Sequence, residues 1–375
     1  MDNIFSLASA EERENTICNA IKKMIECLYY MQLNFLDSAE PAKSASDKWR
    51  GIVAVGVLIA SGGFFLLTKT SFVSDSGAML NKAIQPMGNL EQMINKVGGD
   101  REVVKPPAAP PPQLPKLKGE MLTADKFTAQ AMIVKDRKTG AVLFGKNEYV
   151  KRSLASITKL MSALVILEKS PDWGNIATVV SDNIEDTHMY ADDTYTFEDL
   201  WNSALVASSN KAILTLADAV GWPRVAFVER MNEKARELGM ADVVFADATG
   251  LSEDNQASAS DVAILLNEAM KNTKISKTLL IKEYNLYSKE RGKKHHMWST
   301  DWVLLGWIPN KLPEFFGGKT GYTVAAGYNF TMRAGDGKNH LIDVVVLGAD
   351  SHEARFTEAK DVAEWVFSNY SFDGE

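Results

Sequence analysis

The chain has 375 residues, 46% hydrophobic and 24% charged, enough for one large folded domain with appendages. A formal net charge of −7 gives no basic footprint, which excludes nucleic acid as a principal partner. Both cysteines, Cys18 and Cys27, precede residue 51, so nothing beyond it can form a disulfide or a cysteine zinc site.

Near the N-terminus, Ile17, Ile21, Met24, Ile25, Leu28 and Phe35 recur at helical spacing, with Gln32 the polar exception. This predicts an amphipathic helix seeking another copy, a different protein or a membrane surface. Gly51 to Leu67 then carries no charge and no polar face. As a helix it would be about 25 Å long, slightly short of a hydrocarbon core of about 30 Å, with Trp49 and Thr68 able to extend it at the interfaces. Lys43, Lys48 and Arg50 precede it and Lys69 follows, a bias that places residues 1–50 in the cytosol, the transmembrane anchor at 51–68 and the remainder outside the cell membrane. Residues 69–122 read as a linker containing the proline-rich stretch KPPAAPPPQLP, a stiff spacer.

From Thr123 to the end at residue 375 the pattern is that of one mixed domain. AMIVKD and AVLFG, separated by Arg137-Lys138-Thr139-Gly140, predict a hairpin. IATVVS reads as a strand ending at Ser181. Helices follow over about 157–168, 197–207, 210–220 and 224–238, and Ser258 with Asp261 predicts a capped start to another. The pair His295-His296 follows Arg291, Lys293 and Lys294 and reads as a solvated basic turn, so no metal is expected. YNFTMRA and LIDVVVLG form a second hairpin, and the last helix spans about 352–369. Strands at both ends with helices between them predict an α/β (α+β) fold: one antiparallel sheet flanked by helices, with a helical subdomain inserted.

Three short motifs occur in order: Ser156-Ile-Thr-Lys159, Ser208-Ser-Asn210 and Lys319-Thr320-Gly321. Each has a decoy elsewhere in the chain, namely Ser208-Ser-Asn-Lys211, Ser181-Asp-Asn183 and Lys138-Thr-Gly140. Context separates them. Ser156 opens a helix with Ile157, Leu160, Met161, Leu164 and Val165 on one apolar face, and Lys159 lies one turn up on the same side. Its amine can take the serine proton only if burial or a neighbouring cation lowers its pKa. The pair could equally be a capping serine and a solvated lysine. Ser208 lies between two helices, where it either projects into a cleft or caps the second helix. Lys138-Thr-Gly140 sits in a hairpin turn. Lys319-Thr320-Gly321 follows Gly317 and Gly318 and precedes Tyr322, and small residues would let a substrate backbone approach a strand there.

The segments SLASITKLMSALVILE, ALVASSNKAILTLAD, GGKTGYTVAAGY and VVVLGADSHEARFTEAKDVAEWVF, with MNEKARELGMADVVFADATGLS between them, resemble the low-molecular-weight penicillin-binding D-alanyl-D-alanine carboxypeptidases. The similarity covers roughly residues 123 to 370. It implies a β-lactamase/transpeptidase-like fold and removal of the terminal D-Ala from peptidoglycan stem peptides, with β-lactams as inhibitors and no cofactor. Ser156 would be the nucleophile, Lys159 its base and Ser208 the proton relay. Asn210 would hold the substrate amide, and Lys319 and Thr320 the terminal carboxylate. The backbone N–H groups of Ser156 and Tyr322 would form the oxyanion hole beside Gly321. Ser209 and Lys211 depart from the usual family pattern, and Lys211 adds positive charge near the relay serine. Three readings compete: a D,D-endopeptidase on cross-links, a serine β-lactamase, and a non-catalytic cell-wall binding module. No glutamate-bearing deacylation motif of the β-lactamase kind lies between Asn210 and Lys319.

Overall fold

A computed structural model describes residues 112–372, with the exception of Glu185 and Thr187. The expected N-terminal amphipathic helix, the apolar span at 51–67 and most of the proline-rich stretch lie outside the described residues. Among the described residues no helix is long and apolar enough to cross a membrane.

Both ends of the domain build one antiparallel sheet, as the two hairpin patterns predict. Its strands are β1 (Ala131–Asp136), β2 (Val142–Lys146), β5 (Glu314–Thr323), β6 (Gly327–Gly335) and β7 (Leu341–Ala349), in the spatial order β5-β6-β7-β1-β2. Strands β1 and β7 carry the apolar runs AMIV and VVVLGA because both their faces are covered. In β1, Ala131 and Ile133 enter the core beneath the helical region, while Met132 and Val134 point to the opposite face. Helix α6 (Ala354–Asn369) covers that second face with Phe356, Val362 and Val366. Inside the sheet Arg333 and Asp343 stand opposite each other in register, and the guanidinium Nε donates to the carboxylate at 2.7 Å.

The polypeptide between β2 and β5 forms the helical region. Its helices are α1 (Lys159–Glu168), α2 (Phe197–Val206), α3 (Asn210–Ala219), α4 (Arg224–Glu237) and α5 (Ala259–Lys271), close to the expected bounds. Helix α1 differs from expectation in one respect: every residue from Lys159 to Ile166 is buried, so it is enclosed on all sides. Helix α2 starts with a capping box between Thr196 and Asp199. At α5 the Ser258 hydroxyl accepts from the Asp261 N–H as expected, whereas the Asp261 carboxylate accepts from that hydroxyl and from Ala241 N–H.

Two local expectations are corrected. The strand expected to run to Ser181 ends at Thr178. His295 and His296 lie in a strand rather than a turn: β3 (Glu283–Ser288) pairs with β4 (Lys293–Trp298), and the turn is the preceding four-residue stretch 289–292. This hairpin buries only Leu286, Ser288 and Met297 of its paired residues, so its apolar alternation is too sparse to read.

Candidate active site

Ser156 sits one turn earlier than expected, in a 3-10 turn (Ala155–Thr158) that runs into α1 at Lys159. In 3-10 geometry residues three apart eclipse one another, which aligns the two side chains more closely than an α-helix would. Lys159 Nζ is 2.7 Å from Ser156 Oγ, 2.8 Å from Asn210 Oδ1 and 2.7 Å from the Thr249 carbonyl. Burial holds the Lys159 amine down to about 7, although Asp247 and Asp186 pull the other way. Lys159 is not a solvated lysine, because its side chain is fully enclosed.

The turn carrying Ser156 is locked from three sides. Asn329 Nδ2 donates to the Ser153 carbonyl at 2.9 Å, and Leu154 N–H donates to the Asn255 carbonyl at 2.8 Å. Beneath it, Asp247 gathers the backbone N–H groups of Thr249, Gly250 and Ser252. Burial alone would raise that carboxyl, but hydrogen bonds from Thr249, Ser252 and Gly250 hold it below its usual range. The same turn presents the Thr249 carbonyl to Lys159.

Ser208 has φ +63 and stands between α2 and α3. The capping role belongs to its neighbour: Ser209 Oγ accepts from Ala212 N–H at 3.1 Å. That leaves the Ser208 hydroxyl to Lys319, whose Nζ donates to it at 2.8 Å. Ser209 and Lys211, the two departures from the family pattern, share a partner. The Ser209 hydroxyl and the Lys211 backbone N–H both donate to Asp186. This anchors the start of α3 to the 181–192 loop.

Strand β5 supplies the opposite wall. The Lys319 amine is held well below its ordinary value by burial, and further by the positive charges of Lys159 and Arg355. Thr320 Oγ1 lies 2.6 Å from Thr300 Oγ1. The small residues here admit the protein's own backbone: a Cβ on Gly321 would stand 2.6 Å from the Leu154 carbonyl oxygen and 3.1 Å from Ser156 N. Tyr322 is half exposed and stacks on Tyr328 with centroids 4.4 Å apart.

Long-range convergence adds residues the motifs did not reveal. Arg355, at the start of α6, donates to the Gly321 carbonyl at 3.4 Å. Asp301 lies next to Thr300, and burial pushes its carboxyl up to about 7 against the Val303 and Leu304 N–H groups that it accepts from. Lys319 and Arg355 thus place two basic side chains, whose charged forms burial disfavours, beside one acid that burial also holds back from ionising, and an incoming carboxylate would supply the counter-charge they lack.

The decoys are accounted for. Lys138-Thr139-Gly140 forms the β1–β2 turn, with Gly140 at φ +73 and Thr139 bonded to Asp136. In the Ser181-to-Asn183 decoy, Asp182 pairs with Arg224. Among the described residues no group of three or more His, Cys, Asp or Glu side chains could hold a metal ion.

Comparisons with known proteins agree with this geometry. A family model described as D-alanyl-D-alanine carboxypeptidase matches residues 118–351. The D-alanyl-D-alanine carboxypeptidase DacF of Bacillus subtilis is 30% identical over 276 residues, covering 69% of this chain and 67% of that protein. A D-alanyl-D-alanine endopeptidase of Pseudomonas aeruginosa is 28% identical, covering 69% and 82%. This chain spans 64 to 67% of the length of the first carboxypeptidases it matches. Penicillin-binding protein D2 of Listeria monocytogenes, solved in a cefotaxime-bound form, is 25% identical with a TM-score of 0.57, covering 66% of this chain and 100% of that one. With its sheet, its three motifs in one cleft and this match over most of the folded domain, the chain belongs to the D-alanyl-D-alanine carboxypeptidase family of serine peptidases.

Proposed function

We propose that the chain removes the terminal D-Ala from peptidoglycan stem peptides through an acyl-enzyme on Ser156. The observation that carries this reading is the buried Lys159 amine, 2.7 Å from Ser156 Oγ. As a neutral amine it has two N–H bonds, which Asn210 Oδ1 and the Thr249 carbonyl accept. Its lone pair is then left to take the Ser156 proton. Ser156 Oγ attacks the carbonyl of the D-Ala–D-Ala bond, and the backbone N–H groups of Ser156 and Tyr322 stabilise the oxyanion. The proton reaches the leaving amine through Ser208, while Lys319, Thr320 and Gly321 line the side that holds the terminal carboxylate. Water then hydrolyses the ester.

Labelling with fluorescent penicillin, and D-Ala release from a synthetic pentapeptide ending in D-Ala–D-Ala, test the assignment. Both are expected for the wild type and neither for Ser156→Ala. Retained D-Ala release by that variant would favour a different nucleophile. Similarity to the Pseudomonas endopeptidase supports a second activity on cross-links, which digestion of purified cross-linked wall would reveal as released monomers.

The charge bias around residues 51–67 supports a membrane-anchored arrangement, with residues 1–50 cytosolic and the catalytic domain extracytoplasmic. A protein partner for the N-terminal amphipathic segment belongs to the same reading. Protease added to intact spheroplasts should then degrade the domain while sparing an N-terminal tag, and the reverse pattern would refute the orientation.

A further inference from the structure

A run of aromatic rings leads out of the site. Tyr322, next to Gly321, stacks on Tyr328. Further along, His352 lies 4.2 Å from Trp302, Trp302 meets Trp307 at 5.6 Å, and Trp307 meets Trp298 at 6.1 Å between centroids. Tyr328 and His352 close the gap at 5.9 Å. Tyr322, Trp307 and Trp298 keep 51%, 53% and 51% of their surface in water. Tyr328, His352 and Trp302 between them are half-buried; leaving the three outer rings wet forgoes the stabilisation that burial would give, and exposed rings grouped in this way mark a binding surface.

The rings are interleaved with hydrogen-bonding groups. On the outward face of the β3–β4 hairpin, Glu283 stands opposite Trp298 and Asn285 opposite His296, and His296 Nε2 meets Glu283 at 2.9 Å. All four side chains are exposed. The face is also continuous with the catalytic cleft along the chain, because Trp298 lies two residues before Thr300, whose hydroxyl meets that of Thr320.

We propose that the ribbon from Tyr322 to Trp298 is a saccharide platform that seats the glycan strand carrying the stem peptide. An aromatic face matches the flat C–H face of a pyranose ring, while carboxylate, amide and imidazole groups beside it match sugar hydroxyls and acetamido groups. A lipid surface is a poorer fit: Glu283 stands directly opposite Trp298 on this face, where an anionic headgroup layer would repel it. The inference rests on the carboxypeptidase reading, since a stem pentapeptide held by its terminal carboxylate near Lys319 places its glycan within about 17 Å, the reach of five extended residues.

The test uses the full chain in detergent with Ser156→Ala, so that binding is measured without turnover, and peptide-free glycan strands prepared with an amidase as the probe. Retention on the strands is expected, weakened about three- to tenfold by Trp298→Ala or Trp307→Ala and largely restored by Trp298→Phe. In the otherwise wild-type chain the same tryptophan changes should leave D-Ala release from a soluble pentapeptide within about twofold, which shows that the variants are folded. Equal retention of all variants, or no retention of the Ser156→Ala chain, overturns the proposal. So does a component of tryptophan quenching by brominated lipid in proteoliposomes, beyond that of Trp49, that is lost in Trp298→Phe, which would assign the face to the membrane. Loss of D-Ala release from the wild type would refute the catalytic reading and leave the strand-binding result to stand or fall separately.

Discussion

Gly250 lies directly against Ala155: a Cβ on it would stand 1.9 Å from the Ala155 carbonyl oxygen and 3.0 Å from Ser156 N. Both residues have left-handed backbone, Gly250 at φ +88 and Ala155 at φ +47. The turn organised by Asp247 and the turn carrying the candidate nucleophile are therefore fitted to each other through backbone atoms, with no side chain able to yield.

Gly250→Ala is expected to abolish penicillin labelling and to destabilise the domain. The backbone conformation alone costs about 1–2 kcal/mol for an alanine, and the overlap with Ala155 adds to that. Thermal unfolding and acylation, measured on the same preparation, check both effects. Wild-type labelling would show that the two turns can part without cost.

The Lys159 amine titrates near 7 in the folded protein, and only its uncharged form can accept the Ser156 proton. Below that value the amine is protonated, so the acylation rate falls roughly tenfold per pH unit; above it the rate levels off. The second-order rate constant for penicillin, followed between about pH 5 and 9, should show this rise. Lys159→Met should lower the plateau by about 10² to 10⁴, the usual contribution of a positioned general base.

Lys319 contacts Ser208 and also faces the expected carboxylate side, and substrate chemistry separates the two roles. Lys319→Met should lower kcat/KM for a pentapeptide acid by about 10- to 100-fold more than for its C-terminal amide, the range for a hydrogen bond to a charged group. An equal loss for both substrates would assign Lys319 to the proton relay alone.

The Arg333–Asp343 pair is buried between β6 and β7, and Arg333 also donates to Asn267 Oδ1 at 2.8 Å. Asp343→Ala leaves a buried guanidinium without its counter-ion, which should cost about 3–5 kcal/mol in denaturant unfolding. Replacing both residues with apolar ones of similar volume should recover most of that loss.

Much of the domain was legible from periodicity. The helices announced themselves through apolar residues at 3.6 spacing, and the sheet through the runs AMIVKD and LIDVVVLG, because local patterning and burial agree there. The β3–β4 hairpin was not legible, since only Leu286, Ser288 and Met297 of its paired residues are buried and two apolar side chains make too sparse an alternation. Whether Ser208 projects into a cleft or caps the second helix was also open, because serine suits both, and in the fold the cap falls to Ser209.

The order and spacing of Ser156, Lys159, Ser208, Asn210, Lys319 and Thr320 were written in the chain, and with them the reaction class. Asp247, Thr300, Asp301 and Arg355 were not, because no local pattern marks them and they reach the cleft from three segments far apart in the chain, the 247–252 turn, the 300–301 pair and the start of α6. The lysine chemistry itself belongs to the tertiary structure. An SxxK pair on an isolated helix would keep its amine charged in water, and only enclosure by α3, the Asp247 turn and the sheet removes the solvent that would hold the proton on it.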